Sequence, residues 1–245
     1  MKPIRISPLL FRQIHKWVGL ILGLQFVLWT LSGSVMALLD SEKVGGHSAA
    51  AMHGPTAPWP TAMVAPSLVV GSVPVNGLTL HRIGARAVYE VQRTGPAMLF
   101  DAVTGDRITV DSRLATLIAT EMVKAPVRAI SRLPKANLES RDHDGPMWRV
   151  DFADTENSAA YVSAETGRLL VVRGDTWRTW DFFWMLHNMD YISRKSFNHP
   201  LIIFVAFGTL WLSLTGFYLL FKSFRRREFR WVLGNRRPVS QPTMR

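Results

Sequence analysis

Seven histidines and no cysteine set the chemistry open to this chain of 245 residues. Without thiolates there are no disulfides, no zinc–sulfur or iron–sulfur centres and no covalent c-type haem attachment. Any redox centre must use histidine, methionine or carboxylate ligands. Three histidines flank long apolar runs: His15 before the first, His187 and His199 before the second. A b-type haem held by two imidazoles needs both near one plane, which His187 and His199 satisfy only if the loop between them folds back. His15 lies on the other side of the bilayer, roughly 30 Å away, so its partner must come from another subunit, giving one redox site at each membrane face. The plainer reading makes each histidine a polar residue at a membrane edge, since the spacing of His187 and His199 matches no ligand motif. No metal beyond that candidate haem iron is indicated.

The remaining histidines carry less. His47 and His53 fall in a stretch rich in Gly, Ala, Ser and Pro and read as solvated, while His81 and His143 read as surface residues of a soluble domain. Asp142, His143 and Asp144 read as a polar loop, and no nucleophile elbow, H-E-x-x-H pair or phosphate-binding loop is present, so no catalytic residue is assigned.

Two elements must position the three flanking histidines. Trp17 to Leu39 is an uncharged run long enough to cross a bilayer, and Pro200 to Phe221 is a second, closed by Lys222 and the arginines at 225 to 227. The first run exceeds the 7 to 15 residues of a signal-peptide core, which argues for an anchor rather than a cleaved leader. The formal charge of +11 resides in the tails 1–16 and 222–245, and the segment between them is neutral. That is the positive-inside pattern, placing both termini in the cytoplasm and the middle on the far side, and it excludes a nucleic-acid surface. Polar residues within the spans are all neutral, which argues against transport by this chain alone. Gly19 and Gly23, with Gly33 and Ala37 continuing the small-residue spacing, suit close helix packing with a protein partner or in a homodimer.

Between the spans, 40–66 reads as a tether and 67–173 as a soluble α+β domain of antiparallel sheet. Short alternating runs at 78–83, 87–92, 97–102, 148–152 and 159–164 read as strands, and Asp111 to Lys124 as a helix capped by Asp111 or Ser112, with Leu114, Leu117, Ile118 and Met122 on its buried face. The segment 174–199 reads as an interfacial aromatic helix, with Trp177, Trp180, Trp184, His187 and Tyr191 along one stripe, a stripe that would also suit the wall of a haem edge.

The domain repeats itself. AMLFDAVTGDRI at 97–108 answers AAYVSAETGRLL at 159–170, with Thr104–Gly105 matching Thr166–Gly167. These T-G-ended hairpins resemble PepSY units. RQIHKWVGLILGLQFVLWTLSG at 12–33, FFWMLHNMDY at 182–191 and the closing LSLTGFYLLF are similar to the PepSY-associated transmembrane helix family. The resemblance implies two transmembrane helices flanking two PepSY-like repeats, in a bacterial inner membrane with the repeats in the periplasm. PepSY domains are associated with restraint of peptidases outside the cytoplasm. Longer relatives with four or more spans are inner-membrane reductases that carry b-type haem on histidines. With two spans and no flavin or nicotinamide domain, this chain is expected to be an accessory subunit of a redox or iron-reduction system, with a peptidase-regulating interaction module as the alternative.

Overall fold

The structure, a computed structural model, describes residues 8–46 and 58–223. The chain runs from a long helix α1 (Pro8–Leu38) through a short α2 (Ser41–Gly45) and α3 (Pro66–Val70) into eight strands, and returns through α5 (Asp175–Asn188) to a second long helix α6 (Pro200–Ser223). Arg12–Leu38 and Pro200–Phe221 are long and apolar enough to cross a membrane, and little of either is buried within the chain. Helix α1 thus continues ahead of the uncharged run and carries His15 on its first turns. The basic tail beyond 223, like His47 and His53, lies outside the described residues.

The strands form two four-stranded antiparallel sheets of the same simple order: β1 (Gly77–Ile83), β2 (Arg86–Gln92), β3 (Met98–Asp101) and β4 (Arg107–Ile108), then β5 (Val127–Leu133), β6 (Met147–Phe152), β7 (Ala159–Ser163) and β8 (Leu169–Arg173). The repeated segments hold equivalent positions down to single hydrogen bonds. Gly105 N–H donates to the Asp101 carbonyl and Gly167 N–H to that of Ser163, at 2.9 and 3.0 Å. The Asp101 carboxylate accepts from Val103 and Thr104, and the Ser163 hydroxyl from Glu165 and Thr166. Gly105 and Gly167 have φ of 80° and 63°, so each turn needs the left-handed region that glycine enters without Cβ strain.

Helix α4 (Ser112–Met122) follows the first sheet, with Asp111 accepting from Leu114 N–H at its start. It buries Ala115, Ile118 and Ala119, packs on the second sheet and joins both repeats in one core through Val88, Leu99, Val150, Phe152 and Val162. Leu117, expected on that face, is 56% exposed; the buried stripe is turned toward the small residues because alanines let the helix approach the sheet closely. Segment 58–66 is bound rather than free: Val64 N–H donates to the Ala102 carbonyl, Tyr89 Oη donates to Val64, and Trp59 stacks under Arg82. His81, expected at the surface, is wedged on β1, its Nδ1 3.2 Å from the Arg82 carbonyl and its Nε2 3.3 Å from Glu90.

Candidate functional site

The two long helices run antiparallel, which follows from what faces each glycine. A Cβ on Gly19 would stand 3.5 Å from Leu212, one on Gly208 3.3 Å from Leu22, and one on Gly216 3.7 Å from His15. Small residues therefore let side chains of the opposite helix enter, the usual device of helix packing in lipid, where no hydrophobic force draws apolar helices together. Gly19, proposed as an oligomer contact, serves this seam, and Gly33 faces His187 of α5 at 3.4 Å; nothing lies within 4 Å of the Cβ position of Gly23.

Helix α5 does not simply lie across the helix ends. It packs along α1, and Met189 just past its end joins Leu22 and Val205 in the cluster between α1 and α6. Helix α5 stops at Asn188 because Met189 turns left-handed with φ of 57°. Tyr191 consequently leaves the aromatic stripe and is half-exposed, while Trp177 is buried beneath Arg141 and Arg173, and Trp180 stacks on Trp184 at 4.8 Å. The carbonyls that every helix end leaves without partners are met from outside: Trp29 Nε1–H donates to His187 at 2.6 Å, and the His199 ring nitrogen Nε2 lies 2.7 Å from the Asn188 carbonyl. A carbonyl only accepts, so His199 Nε2 carries a proton and caps the helix.

His15 and His187 have matching surroundings. His187 Nδ1 lies 3.1 Å from Ser32 Oγ, and His15 Nδ1 lies 2.7 Å from Thr215 Oγ1. Each hydroxyl already donates its only proton within its own helix, Ser32 to Leu28 at 2.6 Å and Thr215 to Trp211 at 2.9 Å. With the hydroxyl proton on the helix carbonyl, the ring donates from Nδ1 and keeps a lone pair on Nε2; in the other tautomer the hydroxyl donates to Nδ1 and Nε2 carries the proton. No described residue hydrogen-bonds Nε2 of either ring. A glycine follows each hydroxyl residue, Gly33 and Gly216, and faces the imidazole edge at Cε1. A tryptophan precedes each, its ring centroid 6.5 Å from His187 for Trp29 and 6.3 Å from His15 for Trp211, both at 44°. The two sets stand at α1 positions 15 and 32, about 26 Å apart at the α-helical rise. The signal was present in the sequence as L-S-G at 31–33 and L-T-G at 214–216, each behind a tryptophan.

The histidine-bearing elbow is fixed to the sheets. Asp181 on α5 is 2% exposed and bonds Arg141 and Arg194, both at 2.7 Å. Asp190 receives Ser193, Lys195 and Ser196 N–H groups, so the loop does fold back and brings His199 to the end of α5. Burial opposes ionisation of Asp190, but these donors outweigh it and hold its carboxyl below the usual range. Glu139 is likewise pushed up by burial and pulled further down by Arg178 and Tyr161. Among the described residues no group of three or more histidines and carboxylates could hold a metal ion. Asn188 Nδ2 near the elbow, and Gln25 Nε2 and Thr209 Oγ1 on the two long helices, are buried without a partner among the described residues.

Two apolar helices carrying a double-sheet domain define a membrane-anchored α+β protein in contact with the lipid bilayer. Residues 12–241 match the PepSY-associated TM region family, nearly the whole chain, and the protein belongs to it. No curated protein and no solved structure matches it.

Proposed function

We propose that this chain is an inner-membrane PepSY protein with both termini cytoplasmic and its sheets in the periplasm, and that it is an accessory subunit of a redox or iron-reduction system holding b-type haem on His15 and His187. The observation that carries this reading is the shared His, hydroxyl, Gly and Trp arrangement at the two ends of the helix pair. In the tautomer with the proton on Nδ1, His15 and His187 would each offer Nε2 to an iron porphyrin. A ligating imidazole offers a neutral Nε2 while its Nδ1–H is held by a neighbour that fixes the tautomer and the ring plane. The adjacent glycines keep that edge of each ring uncrowded, and the tryptophans supply flat apolar walls. His199, with Nε2 given to Asn188, orients the elbow that carries His187. When bound, such a group would supply one-electron transfer, and Ser32 and Thr215 would orient the two imidazoles through Nδ1.

The test is the absorption spectrum of detergent-solubilised protein expressed with haem available. A Soret band that is diminished in His187→Ala is expected; its absence from the unaltered protein overturns the proposal. A second reading, a non-enzymatic module that regulates or inhibits a peptidase in the cell envelope, is favoured by β5, an edge strand exposed from Val127 to Arg132 and open to pairing with another chain. Spectroscopically empty protein that binds an envelope peptidase through this edge would select it.

A further inference from the structure

We infer that the C-terminal half of α5 and the loop joining it to α6, residues 182–199, are seated in the lipid leaflet on the side of the sheets. The inference rests on the two spans and not on haem. The facing pairs Gly19 with Leu212, Leu22 with Gly208 and His15 with Gly216 set the register of α1 against α6. They bring Pro200, where α6 begins, level with about residue 30 of α1. Helix α1 nevertheless continues without charge to Leu38, about 12 Å further at the α-helical rise, and the next charged residue is Asp40. Leu31 and Leu38 in this additional stretch are exposed. A layer of apolar surface therefore lies beyond the start of α6, where α1 needs another companion.

Helix α5 and its loop occupy that layer. His187 stands against Ser32 and Gly33, and Met189 reaches down to Leu22 and Val205. From Phe182 to Met189 there is no charge. Phe182, Tyr191 and Phe197 are about half exposed, and Ile192 is 95% exposed. A loop built to hold such side chains outward presents an apolar patch, and its continuity with the first turn of a span makes lipid the occupant. Non-helical backbone is tolerated at membrane depth only where the protein meets its polar groups. This loop does so repeatedly. Trp29 and His199 cover the His187 and Asn188 carbonyls, and Arg141 Nε donates to the Arg194 carbonyl. Asp190 accepts the Ser193, Lys195 and Ser196 N–H groups. The charge of Arg194 is paired with Asp181, and Lys195 can carry its ammonium to the headgroups along its apolar stem.

The chain has no cysteine, so single-cysteine variants of the full-length protein each report one place. Ile192→Cys and Phe197→Cys test the loop, with Leu117→Cys on α4 as the reference in water and Phe207→Cys on α6 as the reference in lipid. All four positions are exposed, so none of the substitutions disturbs the core. In membranes opened by sonication, a polymer-linked maleimide is expected to modify Leu117→Cys quickly and the other three only after dodecyl sulfate. In vesicles of phosphatidylcholine and phosphatidylglycerol, a fluorophore at 192 or 197 is expected to lose its emission to lipid bearing a nitroxide near the glycerol end of the acyl chain. Aqueous iodide should leave that emission intact. Rapid modification at 192 together with iodide quenching overturns the inference, because the loop then stands in water. Protection from maleimide without quenching by the nitroxide lipid overturns it as well, because another protein then covers the loop. A protein without a Soret band leaves all these outcomes readable, so the two readings fail separately.

Discussion

Thr215 Oγ1 and His15 Nδ1 lie 2.7 Å apart although 200 residues separate them in the chain. The contact exists only because α1 and α6 are antiparallel in one register, and the same register puts Leu22 against Gly208. The hydroxyl also lies 2.9 Å from the Trp211 carbonyl, and with its proton there it accepts from Nδ1 of the ring.

On the proposed haem reading, removing either hydroxyl should weaken ligation without removing the histidine itself. Ser32→Ala and Thr215→Val are each expected to lower haem affinity by about 10- to 100-fold and to shift the midpoint potential, the usual effect of losing the group behind a ligating imidazole. Ser32→Thr should retain both. Haem titration and redox potentiometry of the purified protein check this, and unchanged affinity in both variants would show that the hydroxyls do not orient the rings.

The two T-G turns offer a comparison within one molecule. Both glycines have positive φ, so alanine at either is expected to cost about 1–2 kcal/mol. A Cβ on Gly105 meets Val64 at an ordinary 3.7 Å, but one on Gly167 stands 2.7 Å from Ile83 Cδ1, within the core that joins the repeats. Gly167→Ala should be the more destabilising by about 1 kcal/mol or more, because overpacking adds to the backbone strain. Chemical denaturation followed by far-ultraviolet circular dichroism gives the order.

Asp181 balances two guanidinium groups in a nearly closed site. Asp181→Ala leaves Arg141 and Arg194 facing each other and is expected to cost about 3–5 kcal/mol. Trypsin should then cut after Arg194 or Lys195 far faster than in the unaltered protein. Equal cleavage rates would mean that the clamp does not hold the loop.

How far the sequence reaches is clear from particular elements. The apolar runs, the T-G turns and the Asp111 cap follow from local composition and hydrogen-bonding rules and appear where they are expected. Strand β5 escaped because VRAISRL, exposed nearly throughout, has no buried face to produce alternation. The aromatic stripe was extended to Tyr191 because periodicity cannot see the left-handed turn at Met189. His15 and His187 stand out by position, but Ser32 and Thr215 look like ordinary neutral residues in apolar helices. Their meaning depends on which helix turns lie opposite, a tertiary quantity.

Acid should loosen the start of α5. Glu156 accepts the Thr176 N–H at 3.0 Å and pairs with Lys43 at 2.9 Å, and these contacts, the backbone bond first, push its carboxyl down to about 2 from an ordinary 4.5. A carboxyl depressed in the folded state stabilises above its unfolded pKa and loses that contribution as the pH falls from about 4.5 toward 2. Amide exchange at Thr176 should accelerate across that window, and Glu156→Gln should flatten the profile.

Asp181 and Asp190 together tie α5, the loop from the second sheet and the entry to α6 into a single joint. Such a joint has little slack. The sheets cannot hang from the bilayer like a pendant on a cord; they are mounted on it like the arm of a crank. Torque applied to the arm by anything that grips the sheets reaches the wedge between the two long helices, and with it the seating of His187 against Ser32.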